Sequence, residues 1–296
     1  MFAAGQYELL DFGEGRKLER FCQYILDRPA PAADGIKRAA PKLWSGAAAR
    51  FEMRGNRSLQ SSPQRGQWIV LKKMPETWSI GHQQTKFELK LTNFGHVGIF
   101  PEQAEDWDWI SEQSRRATPL QPGKPLRVLN LFAYTGGSTL AAAAAGAEVT
   151  HVDAARNVVA WARRNAEFSG LSPAPIRWIA DDAVKFAARE LKRGKQYDAI
   201  ILDPPSYGHG AKGEAWKLDE QLPELLDVCH NLTGPQPRFV LLTCHAPDYD
   251  PRRLAECLVT ADFAQSVKRV EAGDLFLATA KGRRLPAGMF ARIAAR

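Results

Sequence analysis

Cysteine is scarce in this chain, and Cys22, Cys229, Cys244 and Cys257 stand too far apart for a close-spaced metal knuckle or a dense disulfide framework. That excludes zinc-ribbon and disulfide-stapled folds; no metal is expected, and a reducing cytoplasm is the expected compartment. Long apolar runs are missing too. No unbroken stretch reaches the roughly 20 residues of a spanning helix, so no membrane is expected, and Met1-Phe2-Ala3-Ala4-Gly5-Gln6-Tyr7-Glu8 lacks the basic and apolar order of a secretory signal. Internal repeats are absent. A dinucleotide-binding Gly-x-Gly-x-x-Gly does not follow the strand at 127–132, where only Gly136-Gly137 precede Ser138-Thr139, and this disfavours a dehydrogenase.

What remains is the material of a two-part globular chain. Its 296 residues exceed the ~100 to 200 of one usual domain, and a hydrophobic content of 45% can supply a core. From residue 127 onward the pattern is of alternating strands and helices. The apolar run 127–132 leads into the loop Ala133-Tyr134-Thr135-Gly136-Gly137, and an alanine-rich helix follows, with Ser138 expected as N-cap and Gly146 as C-cap. A second strand, 147–152, ends in Asp153. A helix over 155–168 precedes a third strand, 176–180, which ends in Asp181-Asp182, and a further helix is expected over 183–194. The fourth strand, 197–202, delivers Asp203-Pro204-Pro205-Ser206-Tyr207-Gly208.

Ligands of open α/β sheets bind beyond the carboxyl ends of the strands. An acid at the end of the second strand is placed for ribose hydroxyls, and glycines in the first turn let a ligand approach the backbone. Asp203 followed by two rigid prolines presents acceptors at fixed positions, which suits a planar amine or ring nitrogen. Taken alone, Asp-Pro-Pro-Ser-Tyr-Gly also reads as a strand-terminating turn.

The ordered set, an aromatic and glycine turn, Asp153, Asp182 and then Asp-Pro-Pro, resembles the class I S-adenosylmethionine-dependent methyltransferases. Within that class, Val128-Leu129-Asn130-Leu131-Phe132-Ala133-Tyr134-Thr135-Gly136-Gly137 is similar to the first motif of the ribosomal-RNA large-subunit methyltransferases that modify cytosine C5 or guanine nitrogens. Gly98-Ile99-Phe100-Pro101-Glu102-Gln103 resembles the segment that closes over their cofactor. The family's usual Asp is Asn130 here, its aliphatic residue is Pro101, and its following Arg is Ala104.

This resemblance spans roughly residues 95 to 296. It implies an α/β fold, a Rossmann-like sheet with helices on both faces, and the strand patterns of the N-terminal hundred residues add the expectation of a small β-rich N-terminal domain. The expected division is an accessory domain over 1–103 and a catalytic domain over 104–296. It further implies S-adenosylmethionine as cofactor, held by Phe100, Gln103, Asn130, Phe132, Tyr134, Thr135, Gly136, Ser138, Asp153, Ala154, Asp182, Ala183 and Asp203, with RNA, ribosomal above all, as substrate and partner.

Two chemistries stay open. For methylation of a nitrogen, Asp203 and the backbone around Pro204 would accept from an exocyclic amine while Tyr207 stacks on an extruded base. For methylation of cytosine C5, a thiolate must add to C6, and Thr243-Cys244 resembles the Thr-Cys motif of RNA cytosine C5 methyltransferases. Cys244 reads more readily as a small core residue; the adjacent His245 is the group that would lower its pKa, although neighbours on a strand face opposite ways. A methyltransferase for a small molecule or a protein side chain, and a nucleoside-binding module without catalysis, are the competing readings.

The N-terminal hundred residues are expected to hold strands at 68–71 and 87–91, a short amphipathic helix over 17–26, and a loop over 29–40. A lead-in helix is expected over 105–117, before a Pro- and Gly-containing connector at 118–125. Net charge is +7, and most of the excess lies in the first 103 residues, which hold 15 Lys or Arg against 10 Asp or Glu. Residues 37–73 hold nine basic side chains (Lys37, Arg38, Lys42, Arg50, Arg54, Arg57, Arg65, Lys72, Lys73) and one acid, Glu52, with Trp44, Phe51 and Trp68 interleaved. Phosphates would be drawn there, and the aromatics would either stack on unpaired bases or point into the core. Residues 281–296 add five basic residues and no acid.

Overall fold

The computed structural model describes residues 2–53, 66–117, 124–209, 215–234, 236–263 and 270–295. Arg54, Arg57, Arg65 and most of the connector 118–125 lie outside the described residues. Two compact units emerge, one of Met1–Ala104 with Phe276–Ala287, the other of Glu105–Leu275 with Gly288–Arg296.

The first unit is built on a five-stranded sheet in the order β1 (Tyr7–Gly13), β2 (Arg16–Phe21), β3 (Tyr24–Pro29), β4 (Ala49–Met53) and β5 (Gly66–Val70). Its pairs are antiparallel except β3 with β4. A separate hairpin joins β6 (Thr77–His82) to β7 (Thr85–Lys90). The strands expected at 68–71 and 87–91 are thus present as β5 and β7, and the loop over 29–40 contains one 3-10 turn, Pro31–Ala33.

The helix expected over 17–26 does not form. Those residues are β2 and β3, with Cys22 at φ 53 in the turn between them. Leu18, Phe21, Ile25 and Leu26 recur at helical spacing, which mimics an amphipathic helix. Pairing of β2 with β1 on one side and β3 on the other decides otherwise, and buried Glu19 is held by Arg28 at 2.7 Å and Lys17 at 3.2 Å.

The second unit opens with α1 (Ala104–Ala117), followed by β8 (Arg127–Leu131), α2 (Gly137–Ala144), β9 (Glu148–Asp153), α3 (Arg156–Phe168), β10 (Ile176–Ala180), α4 (Ala183–Lys192) and β11 (Ala199–Leu202). Next come the short β12 (Tyr207–His209) and β13 (Ala215–Lys217), α5 (Leu218–Thr233), β14 (Phe239–Cys244), α6 (Pro251–Thr260) and the long β15 (Glu271–Ala278) and β16 (Arg284–Ala294), whose residues 276–278 and 284–287 belong to the first unit. The main sheet has the order β10-β9-β8-β11-β14-β16-β15. Its first five strands are parallel and β16 is antiparallel to β14. The fold class expected from the sequence is therefore the one observed.

Side chains alternate across this sheet, as the pleat requires. Leu129, Leu131, Ile200, Leu202, Val240, Leu242 and Cys244 join the buried cluster that also contains Phe186 of α4, Leu222 and Leu225 of α5 and Leu254 and Leu258 of α6. The intervening residues face the other way. Asn130 meets Thr139 of α2 there, and Phe239 meets Trp109 of α1.

Candidate functional site

The strand order reverses between β8 and β11, so the loops after these two strands flank a crevice at the sheet's carboxyl edge. The loop after β8 is tightly wound. Phe132, Tyr134 and Gly136 have φ values of 57°, 48° and 93°, and left-handed backbone at two aromatic residues is uncommon outside sites that need it. Gly136, in left-handed backbone, and not Ser138, is the N-cap of α2; no side chain caps the helix, and Ser138 lies within the first turn. Gly137 is required for a different reason: a Cβ there would lie 2.6 Å from the ring of Trp107, which packs the start of α1 onto this turn.

Asp153 ends β9 beside that loop. Its Oδ2 accepts from the Tyr134 N–H and its Oδ1 from the Ala155 N–H, both at 2.9 Å. Burial pushes its pKa up, and the two backbone donors oppose the shift. Each oxygen keeps a lone pair for a further donor, which suits the paired hydroxyls of a ribose. Ala154 is exposed next to it. Asp182 caps α4 by accepting from the Lys185 N–H at 2.9 Å, and Ala183 opens that helix.

Asp203 follows β11 and is pinned, its Oδ1 accepting from the Thr243 hydroxyl at 2.5 Å with His245 Nε2 3.6 Å away. The prolines after it are tied to the first loop by Trp216, whose indole N–H donates to the Pro205 carbonyl at 2.6 Å while its ring lies 5.1 Å from that of Phe132. Pro204 is buried, and Tyr207 is exposed at the start of β12.

Asn130 departs from the acid expected at its position in more than charge. Its amide donates to the Thr139 hydroxyl, itself 2.9 Å from His151 Nδ1, so the side chain is committed within the fold. Burial lowers the His151 pKa to about 3 and keeps that ring neutral. Thr135 is buried, its carbonyl taking the Asn165 amide at 2.9 Å.

Cys244 is buried in the cluster under α4, α5 and α6, on the opposite face of β14 from Thr243. Burial pushes its thiol up to about 11, and the His245 imidazole lies beside Asp203. Phe100 and Gln103 belong to the first unit, at the 3-10 turn Pro101–Gln103 that leads into α1.

Sequence reasoning passed over Asp106, Trp107 and Trp216. Asp106 and Trp107 lie in a helix read only as a lead-in, and Trp216 lies in a stretch with no motif of its own. Their partners are distant in sequence, so local pattern carried no signal for them.

A family model for S-adenosylmethionine-dependent methyltransferases matches residues 38–276. A crystal structure of the SAM dependent methyltransferase from Agrobacterium tumefaciens matches 99% of this chain and 91% of that one, at 36% identity and a TM-score of 0.87. Trm5b from Pyrococcus abyssi shares the fold at 12% identity and a TM-score of 0.55, over 99% of this chain and 76% of that one. Ribosomal RNA large subunit methyltransferase K/L from Shewanella sp. strain MR-4 is 30% identical over 158 residues, which are 52% of this chain. The chain spans only about a fifth (21%) of the length of that relative.

Proposed function

The chain belongs to the S-adenosylmethionine-dependent methyltransferase family, and from that premise we propose that it methylates a nitrogen of a nucleobase in RNA, ribosomal RNA above all. The observation that carries this reading is Asp203, an acceptor pinned by Thr243 at the end of β11 and followed by two prolines, the second held at its carbonyl by Trp216. When bound, the cofactor supplies an electrophilic methyl on a sulfonium.

The chain's task is then positioning. Asp153 takes the ribose hydroxyls, and the turn 132–137 lines the path of the cofactor's sugar and amino acid end. Asp182 takes the adenine amino group. Asp203 and the Pro204 carbonyl accept from the target N–H, which aims the nitrogen lone pair at the methyl, and exposed Tyr207 offers a ring on which the extruded base stacks. Burial of Cys244 with a raised thiol pKa supports nitrogen over cytosine C5 as the target.

RNA as substrate is supported by the partial similarity to large-subunit rRNA methyltransferases and by the basic first unit. The basic surface differs from the sequence expectation. Trp44 and Phe51 are core residues, with the Trp44 N–H on Asp11 at 2.9 Å, and Trp68 is half-buried with its N–H on the Thr92 carbonyl at 2.8 Å, so base stacking is not assigned to them. Arg50 pairs with Asp27, and Arg38 lies over the Trp44 ring and pairs with Glu14. Lys37, Lys42 and Lys73 are exposed and remain as phosphate contacts. Asp11 gathers part of this surface by binding the Ala39 and Ala40 N–H groups together with Arg283.

The experiment that tests the reading is a methylation map of RNA from a strain lacking the gene. One missing base methylation, restored by the wild-type chain and not by Asp203→Ala, is expected. An unchanged map would remove RNA as the substrate.

A further inference from the structure

Asp106, near the start of α1, is buried with 1% exposure, and its two carboxylate oxygens are treated differently. Oδ1 meets Arg292 Nη1 at 3.3 Å, while buried Oδ2 has no hydrogen-bond partner among the described residues. Arg292 is shared, since its other nitrogens bind Glu271 at 2.7 and 3.0 Å. The groups acting on Asp106 are Arg292, Asp203 and Glu105. Glu271 lies beyond Arg292, and His245 lies beside Asp203. Burial pushes Asp106 up to about 7, with Arg292 opposing and Asp203 and Glu105 adding to the shift.

The position of this carboxylate is fixed by its neighbour. Trp107 packs on Gly137, so the first turn of α1 lies against the glycine turn, and the charge of Asp203 adds to the upward shift of Asp106. The amino acid end of S-adenosylmethionine carries an ammonium, a donor that suits the unpartnered Oδ2 of Asp106. Asn130 has no charge to offer it, and it is buried with its Nδ2 donating to the Thr139 hydroxyl.

We propose that Asp106 binds the α-ammonium of the cofactor, supplying from α1 the carboxylate that Asn130 does not supply from β8. This rests on the family's cofactor and not on RNA as substrate. Oδ2 would take one ammonium N–H in a charge-assisted bond, with Arg292 fixing the carboxylate through Oδ1.

The test is calorimetry of the full chain with S-adenosylhomocysteine and with 5′-methylthioadenosine, which has the same nucleoside and sulfur but no amino acid. Asp106→Asn is expected to cut the preference for S-adenosylhomocysteine about tenfold, leaving 5′-methylthioadenosine unaffected. Equal losses for both ligands would make Asp106 a structural partner of Arg292 and overturn the inference, as would no loss for either. Failure of wild type to bind either ligand would instead refute the cofactor assignment.

A second measurement needs no Asp106 variant. At pH 7, S-adenosylhomocysteine is expected to release a fraction of a proton from wild type and equally from His245→Gln, read from buffers of different ionisation enthalpy, whereas 5′-methylthioadenosine releases none. No release, or release that disappears with His245, would overturn the inference.

Discussion

Asp153 and Asp203 are held in contrasting ways, and their variants should fail differently. Asp153 meets two backbone donors and has lone pairs left for ligand, so Asp153→Ala removes hydrogen bonds worth roughly 1.5 to 3 kcal/mol each and should weaken cofactor binding by an order of magnitude or more. Calorimetry reads this, and unchanged affinity in a folded variant takes Asp153 out of the site. Asp203→Ala should leave cofactor affinity within a few-fold and lower methyl transfer by roughly a hundredfold or more, because only the acceptor's alignment is removed.

Cys244 makes the opposite prediction. Cys244→Ser puts a hydroxyl into an apolar cluster, at a cost of about 1 to 3 kcal/mol of stability, yet activity per folded molecule should persist. Should the folded serine variant be inactive and 5-fluorocytosine RNA trap wild type covalently, the cytosine C5 mechanism replaces the nitrogen one.

At the scale of elements, the turn between β8 and α2 is closely packed by Trp107. Gly137→Ala would drive a methyl into the Trp107 ring, so a loss of roughly 1 to 3 kcal/mol is expected in denaturant unfolding, together with weaker cofactor binding. Trp107→Leu, which vacates part of that space, should recover some of the stability in the double variant. Additive losses in the double-mutant cycle would contradict this packing of Trp107 on Gly137.

Strands β9, β10 and β11 were legible because each is a short apolar run that leads into an acid, Asp153, Asp181 or Asp203, and these acids mark the crevice without any knowledge of packing. Less legible was everything decided by distant partners. Leu18, Phe21, Ile25 and Leu26 satisfy a helical pattern, and only the pairing of β2 with β1 and β3 makes them strands. Ser138 is a good N-cap by type, but the backbone turns left-handed two residues earlier. Trp216 on Pro205, Trp107 on Gly137 and Asp106 on Arg292 are tertiary contacts between segments that are separate in the pattern.

For the chain as a unit of function, charge bears on the choice of substrate. Among the described residues no helix is long and apolar enough to cross a membrane. The excess of positive charge in the first 103 residues includes exposed Lys37, Lys42 and Lys73. RNA affinity should fall steeply with salt, and replacing these three lysines by Gln should flatten the slope of log affinity against log salt by about 0.7 for each phosphate no longer neutralised. A slope that does not change assigns them to solvated surface. Methyl transfer to a small molecule or a protein side chain would show no such salt dependence.

Transfer of labelled methyl from S-adenosylmethionine, with ribosomal RNA from a strain lacking the gene offered beside protein and small-molecule fractions of the same cells, decides among these substrates. Label is expected on a base nitrogen of the RNA with wild type and Cys244→Ser, and not with Asp203→Ala. Label confined to the protein or small-molecule fraction, or retained in RNA by Asp203→Ala, would contradict the proposed chemistry.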